Sequence, residues 1–122
     1  MEINDLAQDV NQLSLRVDRW LHEPTTTIER HFEYFESEIK ELKEAIDEGD
    51  LNNVPDRERI MDEYGDVLYN VLRVGTLLGM DSEQALIGTL KKLGDRAQAI
   101  VGSETNEEGW RRYREYKGTE RK

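Results

Sequence analysis

The spacing of apolar residues predicts an all-α fold: a helical bundle of four main helices plus a short C-terminal helix. Three observations carry this. Apolar positions recur every 3 or 4 residues in successive stretches, as on one face of an amphipathic helix. No alternating strand pattern competes with them. Only two prolines occur, Pro24 and Pro55, and each falls between helical patterns. Short connections between such stripes favour a bundle as the way to bury them.

The first helix carries Ile3, Leu6, Val10, Leu13, Val17 and Trp20, spaced 3, 4, 3, 4, 3. His22-Glu23-Pro24 should end it, because the residue before proline disfavours the α region. The second starts in the cluster Thr25, Thr26, Thr27, where Thr26 and Glu29 have capping-box spacing. Ile28, Phe32, Phe35, Ile39, Leu42 and Ile46 form its stripe, and Gly49 is placed to close it in the left-handed conformation. Residues 49–56 read as a loop. The third helix is expected from about Arg57 to Leu78, with Gly79 ending it. Its second half, from Val67 to Leu78, is apolar nearly all round and reads as central and buried. Asp81 and Gln84 begin a fourth helix with Leu86, Leu90, Leu93, Ala97 and Ile100 along it, closed by Gly102. A short fifth starts at Thr105, which has Glu108 three residues on. Gly75 and Gly79, as G-x-x-x-G, point to close helix packing.

The 122 residues fit one domain with a small core, and buried surface in such a chain is often shared with a second copy. There are 27 acidic and 17 basic residues, a net charge of −10. That balance argues against nucleic acid as the main ligand, since affinity there comes from basic side chains on phosphates. It does not exclude phosphate ligands, because a divalent cation can bridge carboxylates to them. The absence of cysteine excludes disulfides, zinc–thiolate sites and thiol catalysis. No apolar run is long enough for a membrane span. The opening segment MEINDLAQDV is unlike a signal or transit peptide, so a cytoplasmic location is expected.

The informative acids are Glu38 and Glu41 on the second helix and Glu63 and Asp66 on the third. Glu38 lies between Phe35 and Leu42, on the flank of the apolar stripe, and Glu41 is one turn on. Asp66 leads into the most apolar stretch, with Asn70 one turn later. Two helices bearing E-x-x-E and E-x-x-D at their inner edges would gather charges that repel and resist burial. A hard cation such as Mg²⁺ or Mn²⁺, which prefers oxygen ligands, resolves this. On spacing alone an E-x-x-E is more often a solvated helix face, and no particular metal follows from it. A ferritin-like di-iron centre is excluded by the missing Glu-x-x-His pairs.

Segments 36–46 (ESEIKELKEAI) and 62–72 (DEYGDVLYNVL) resemble the MazG-type nucleotide pyrophosphohydrolases, of the all-α NTP pyrophosphatase superfamily. The family pattern is E-E-x-x-E-L, a loop, then E-x-x-D with a glycine before the Asp. LLGMDSEQAL at 77–86 continues it, Lys92 and Arg96 fit a trailing K-x-x-x-R, and Trp20 with the following threonines fits an upstream tryptophan and Q-T segment. The likeness covers about residues 20–97, and the order and spacing of its motifs are specific. Ser37 replaces the first Glu of the pair. Glu36 is a poor substitute, being about 100° away around the helix.

The resemblance implies hydrolysis of a (deoxy)nucleoside triphosphate to the monophosphate and pyrophosphate. It implies Mg²⁺, or Mn²⁺ in its place, on Glu38, Glu41, Glu63 and Asp66. Glu38 or Glu41 would orient or deprotonate the attacking water. Lys92 and Arg96 would face the phosphates. Asn70 would bond a sugar or base, or else simply a neighbouring helix; Trp20 would wall the base pocket, or else be plain core. His22 and His31 read as surface residues, and Tyr64 beside the ligands reads as packing between helices. A dUTP- or phosphoribosyl-ATP-directed relative is the nearest alternative, and a non-catalytic acidic interaction module is the alternative from another class. The family likeness also implies a homodimer or homotetramer.

Residues 1–109 are expected to form the helical domain and 110–122 a basic, aromatic tail. The tail holds six basic and two acidic residues, a net of +4, which leaves −14 for the rest of the −10 chain. It is expected to pack on an acidic neighbour or close over bound phosphates, with disorder beyond Gly118.

Overall fold

The computed structural model describes residues 2–120. It is all-α: α1 (Ile3–Trp20), α2 (Ile28–Glu48), α3 (Val54–Leu78), α4 (Ser82–Ala99) and α5 (Asn106–Glu120). No strand occurs among the described residues. None of these helices is long and apolar enough to cross a membrane. The chain divides into two compact units, Met1–Ser82 and Glu83–Lys122.

In the first unit α3 packs against both α1 and α2. Asn11 meets Arg73 and Ser14 meets Tyr69, so α1 runs opposite to α3. His31 meets Asn70 and Glu48 meets Arg59, so α2 also runs opposite to α3. The floor between α1 and α2 is therefore the middle of α3, where Asp66, Tyr69, Asn70 and Arg73 lie.

The helix ends follow local chemistry and shift several expected boundaries. α1 stops before the proline takes effect. His22 adopts a left-handed φ of 55°, and the N–H of Glu23 bonds the Asp18 carbonyl at 2.8 Å, a Schellman-type closure. The cap of α2 is Thr27, one residue later than the expected Thr26, and its hydroxyl accepts from the Arg30 N–H. The Thr26 N–H instead donates to Asp18 Oδ2 at 3.3 Å, tying the connection to α1. Gly49 closes α2 in an extended conformation (φ −102°, ψ 168°), not the left-handed one expected. Glycine is still needed there, because a Cβ would come within 2.8 Å of the Ala45 carbonyl.

α3 begins at Val54, inside the segment read as loop. Asn53 caps it by accepting from the Asp56 N–H at 3.2 Å, and Pro55 sits in the first turn, where its missing N–H costs nothing. Gly79 ends it at φ 66°, as expected. Its role in the G-x-x-x-G is thus a cap; Gly75 makes the close approach, since a Cβ there would meet Ser82 Oγ at 2.5 Å.

In the second unit α4 ends at Ala99, and Thr105 Oγ1 accepts from the Glu108 N–H at 3.1 Å at the start of α5. α5 is not short: it has 15 residues and continues past Gly118 to Glu120, into the stretch beyond Gly118 expected to be disordered. Ion pairs Arg112–Glu108 at 2.5 Å and Arg111–Glu115 at 3.1 Å, each at i,i+4, support it. Arg121 and Lys122, the end of that expected tail, lie outside the described residues.

The core is thin. Among the described residues Ala7 and Ala45 are the buried apolar ones, and the other buried side chains are His31, Asn70 and Arg73. The stretch of α3 expected to be buried is central but half exposed: Leu68 and Val71 are each 45% accessible. Within its own unit α3 has only α1 and α2 against it, too few partners to cover an all-round apolar surface.

Candidate metal centre and cleft

Glu38 and Glu41 stand one turn apart on α2, and Glu63 faces them from α3. Each offers one carboxylate oxygen, and these oxygens lie within 4.8 Å of one another. The antiparallel packing of α2 on α3 brings them together, the same packing that pairs His31 with Asn70. Asp66, one turn beyond Glu63, stands outside that 4.8 Å set, yet its charge bears on both Glu38 and Glu63.

The cluster is electrostatically unfavourable as it stands. Glu38 Oε2 and Glu63 Oε2 are buried without a hydrogen-bond partner. Burial first, then the charges of Glu41 and Asp66 and a hydrogen bond with Glu41, raise both carboxyls above the ordinary value of 4.5. For Glu63, Arg59 opposes the rise only in part; its guanidinium also bonds Glu48 Oε2 at 3.2 Å. Buried carboxylate oxygens without donors, converging from two helices, fit a hard divalent cation, which takes all-oxygen ligands. Ser37, at the position of the missing Glu, faces solvent.

Beside the cluster a cleft of about 330 Å³ opens over α3. Glu38 and Asp66 are among its lining residues, with Ser14, Tyr69, Asn70 and Arg73. Asn70 is buried, and its Nδ2 donates to the Asp66 carbonyl at 2.7 Å. Ser14 and Tyr69 join their hydroxyls across the cleft.

The expected site residues are thus partly assembled. Glu38, Glu41 and Glu63 meet, with Asp66 and Asn70 alongside. Trp20, at the end of α1, is 64% exposed and is not among the cleft residues; Val17 and Asp18 are. Tyr64, read as packing between helices, is 54% exposed. Lys92 and Arg96 belong to the second unit, where the Arg96 guanidinium lies 5.7 Å from the Tyr113 ring centroid. His31, read as a surface residue, is buried, because its ring satisfies a main-chain carbonyl and packs edge-on against Phe35.

Among the cleft residues that sequence reasoning missed are the buried His31 and Arg73. Both had a signal. His31 precedes Glu38 by seven residues, and Arg73 follows Asp66 by seven, so each shares a helix face with one of the four acids. Arg73 is also a lone charge inside the apolar run VLRVGTLL.

Fold and site together define an all-α protein with a carboxylate cluster on two antiparallel helices, beside a cleft of about 330 Å³. The MazG nucleotide pyrophosphohydrolase domain model matches residues 26–101, and the chain belongs to that family. The match spans α2, α3 and α4 and so includes all four acids. The family's activity is nucleotide pyrophosphohydrolysis, and its members use divalent metals. No curated protein and no solved structure matches the chain.

Proposed function

We propose that this protein hydrolyses (deoxy)nucleoside triphosphates to the monophosphate and pyrophosphate, in control of the cytoplasmic nucleotide pool. The observation that carries the reading is the convergence of Glu38, Glu41 and Glu63 with buried, unpartnered oxygens. Mg²⁺, with Mn²⁺ as a substitute, held by these three and Asp66, would offset the triphosphate charge and polarise the α-phosphate. Glu38 or Glu41 would orient or deprotonate the attacking water, since both carboxyls sit at the cluster. The water oxygen bonds to the α-phosphorus, the α–β anhydride breaks, and pyrophosphate leaves with the electron pair. Asn70 holds the floor of the cleft against the sugar. By motif position alone, Lys92 and Arg96 are assigned to the phosphates.

The exposed apolar faces of α1 and α3 support a homodimer or homotetramer. The test is incubation of purified protein with each (d)NTP and Mg²⁺ or Mn²⁺, with products identified. Monophosphate and pyrophosphate are expected; diphosphate and orthophosphate, or inactivity across the panel, would overturn the reading.

A further inference from the structure

We propose that Arg73 reads the nucleobase: its Nη2 donates a hydrogen bond to the oxo group at pyrimidine C4 or purine C6, so the enzyme favours uracil, thymine and guanine nucleotides over cytosine and adenine ones, which carry an amino group there. This rests on the pyrophosphohydrolase reading of the same site.

Arg73 is 3% exposed, in the most apolar part of α3. Burial of a guanidinium is costly unless its donors are used and its charge is offset. Here Nη1 donates to Asn11 Oδ1 at 2.6 Å and to Thr76 Oγ1 at 3.1 Å, both neutral groups. Nη2 is buried and has no partner. In a chain with 27 acidic residues, no described carboxylate forms an ion pair with it. The side chain is therefore held in place by α1 and α3 with one charged donor unused, and it lines the cleft.

Position identifies the ligand atom. Arg73 lies seven residues beyond Asp66, so it shares that face of α3 at an axial rise of about 10.5 Å. Phosphates drawn to the carboxylate cluster through a cation are held at the Glu38–Asp66 part of the cleft. A nucleoside extending from there along α3 passes Tyr69 and Asn70 and brings the edge of its base to Arg73. Guanidinium nitrogens only donate. An oxo group completes Nη2, whereas an amino group at the same place sets donor against donor and leaves the buried charge unpaired.

The test compares kcat/KM for dTTP, dUTP and dGTP with that for dCTP and dATP, in the wild type and in Arg73→Lys, with circular dichroism as the check on folding. The wild type should favour the oxo bases by roughly 10- to 100-fold, the worth of a hydrogen bond from a charged donor. Arg73→Lys should lose that preference by slowing the oxo bases alone. A uniform loss across all bases would show a merely structural role and overturn the proposal, as would a wild type without preference. Calorimetry of dTMP against dCMP with Mg²⁺ present decides the matter without hydrolysis or a folded variant, because a monophosphate has no α–β anhydride to cleave. Tighter binding of dTMP by the wild type supports it; equal or absent binding overturns it. An inactive wild type that still discriminates these monophosphates would sink the pyrophosphohydrolase reading and leave the base contact standing.

Discussion

His31 Nε2 on α2 lies 3.0 Å from the main-chain carbonyl of Asn70 on α3, and both residues are buried. A carbonyl only accepts, so the ring must carry its proton on Nε2 and donate. This bond fixes the register of α2 on α3 two helical turns before Glu38, and Glu38 is the residue that must meet Glu63. His31→Ala should therefore cost about 1–3 kcal/mol, the penalty of removing a buried hydrogen-bond partner. Urea unfolding followed by circular dichroism measures it. Divalent-cation affinity should fall as well, although His31 is not a ligand, because the register that brings the acids together is loosened.

Removing the charge of Glu38 should have opposite effects on stability and activity. In the cation-free protein Glu38 and Glu63 hold protons more tightly than the unfolded chain does. Their contribution to stability is thus greatest below the ordinary carboxylate value of 4.5 and is lost as pH rises through the raised values. At neutral pH in EDTA the wild type should then melt below Glu38→Gln, and the gap should close on acidification. Mg²⁺ should raise the wild-type melting temperature at neutral pH and do little for the variant. Turnover of the variant should fall by more than the roughly 10- to 100-fold that loss of a supporting contact costs at metal sites. Calorimetric melts across pH, with and without the cation, check all of this; a Glu38→Gln protein that melts below the wild type in EDTA would refute it.

The helices and the four acids were legible because apolar spacing and i,i+3 pairs are properties of single helices. What one helix says about another was not. His31 and Arg73 carried a positional signal on their own helices, but their partners lie on other helices, and packing is what shows that one meets the Asn70 carbonyl and the other Asn11. The apolar run of α3 marked it as central, but burial depends on what covers it. The caps fall between these cases. Asn53 and Pro55 carried a start signal, and the loop-like composition of GDLNNVPD hid it.

That hidden cap is testable. Asn53 Oδ1 accepts from the Asp56 N–H, one of the first N–H groups of α3, which have no partner within the helix. Asn53→Ala should cost about 1 kcal/mol in urea unfolding. At the other end, Gly79 at φ 66° has open space for a Cβ, so the cost of Gly79→Ala is purely conformational. About 1–2 kcal/mol is expected there from the left-handed backbone. The two sites lie at opposite ends of a 25-residue helix, so their effects should add in the double variant.

The thin core makes the last prediction the broadest. Leu6, Leu13, Leu68 and Val71 are each 40% exposed or more, yet all lie on helices whose stripes are amphipathic by design of their spacing. A face of this kind in water is normally covered, and a second copy of the chain offers a matching face by symmetry. Light scattering should therefore give a multiple of the 14.3 kDa chain mass. The melting temperature should rise with protein concentration, since subunit binding stabilises the folded form by mass action. Val71→Lys, which places a charge on the exposed apolar surface of α3, should shift the protein towards monomer and lower its melting temperature together. A monomer whose melting temperature is independent of concentration would leave these apolar faces to some other partner and refute self-association.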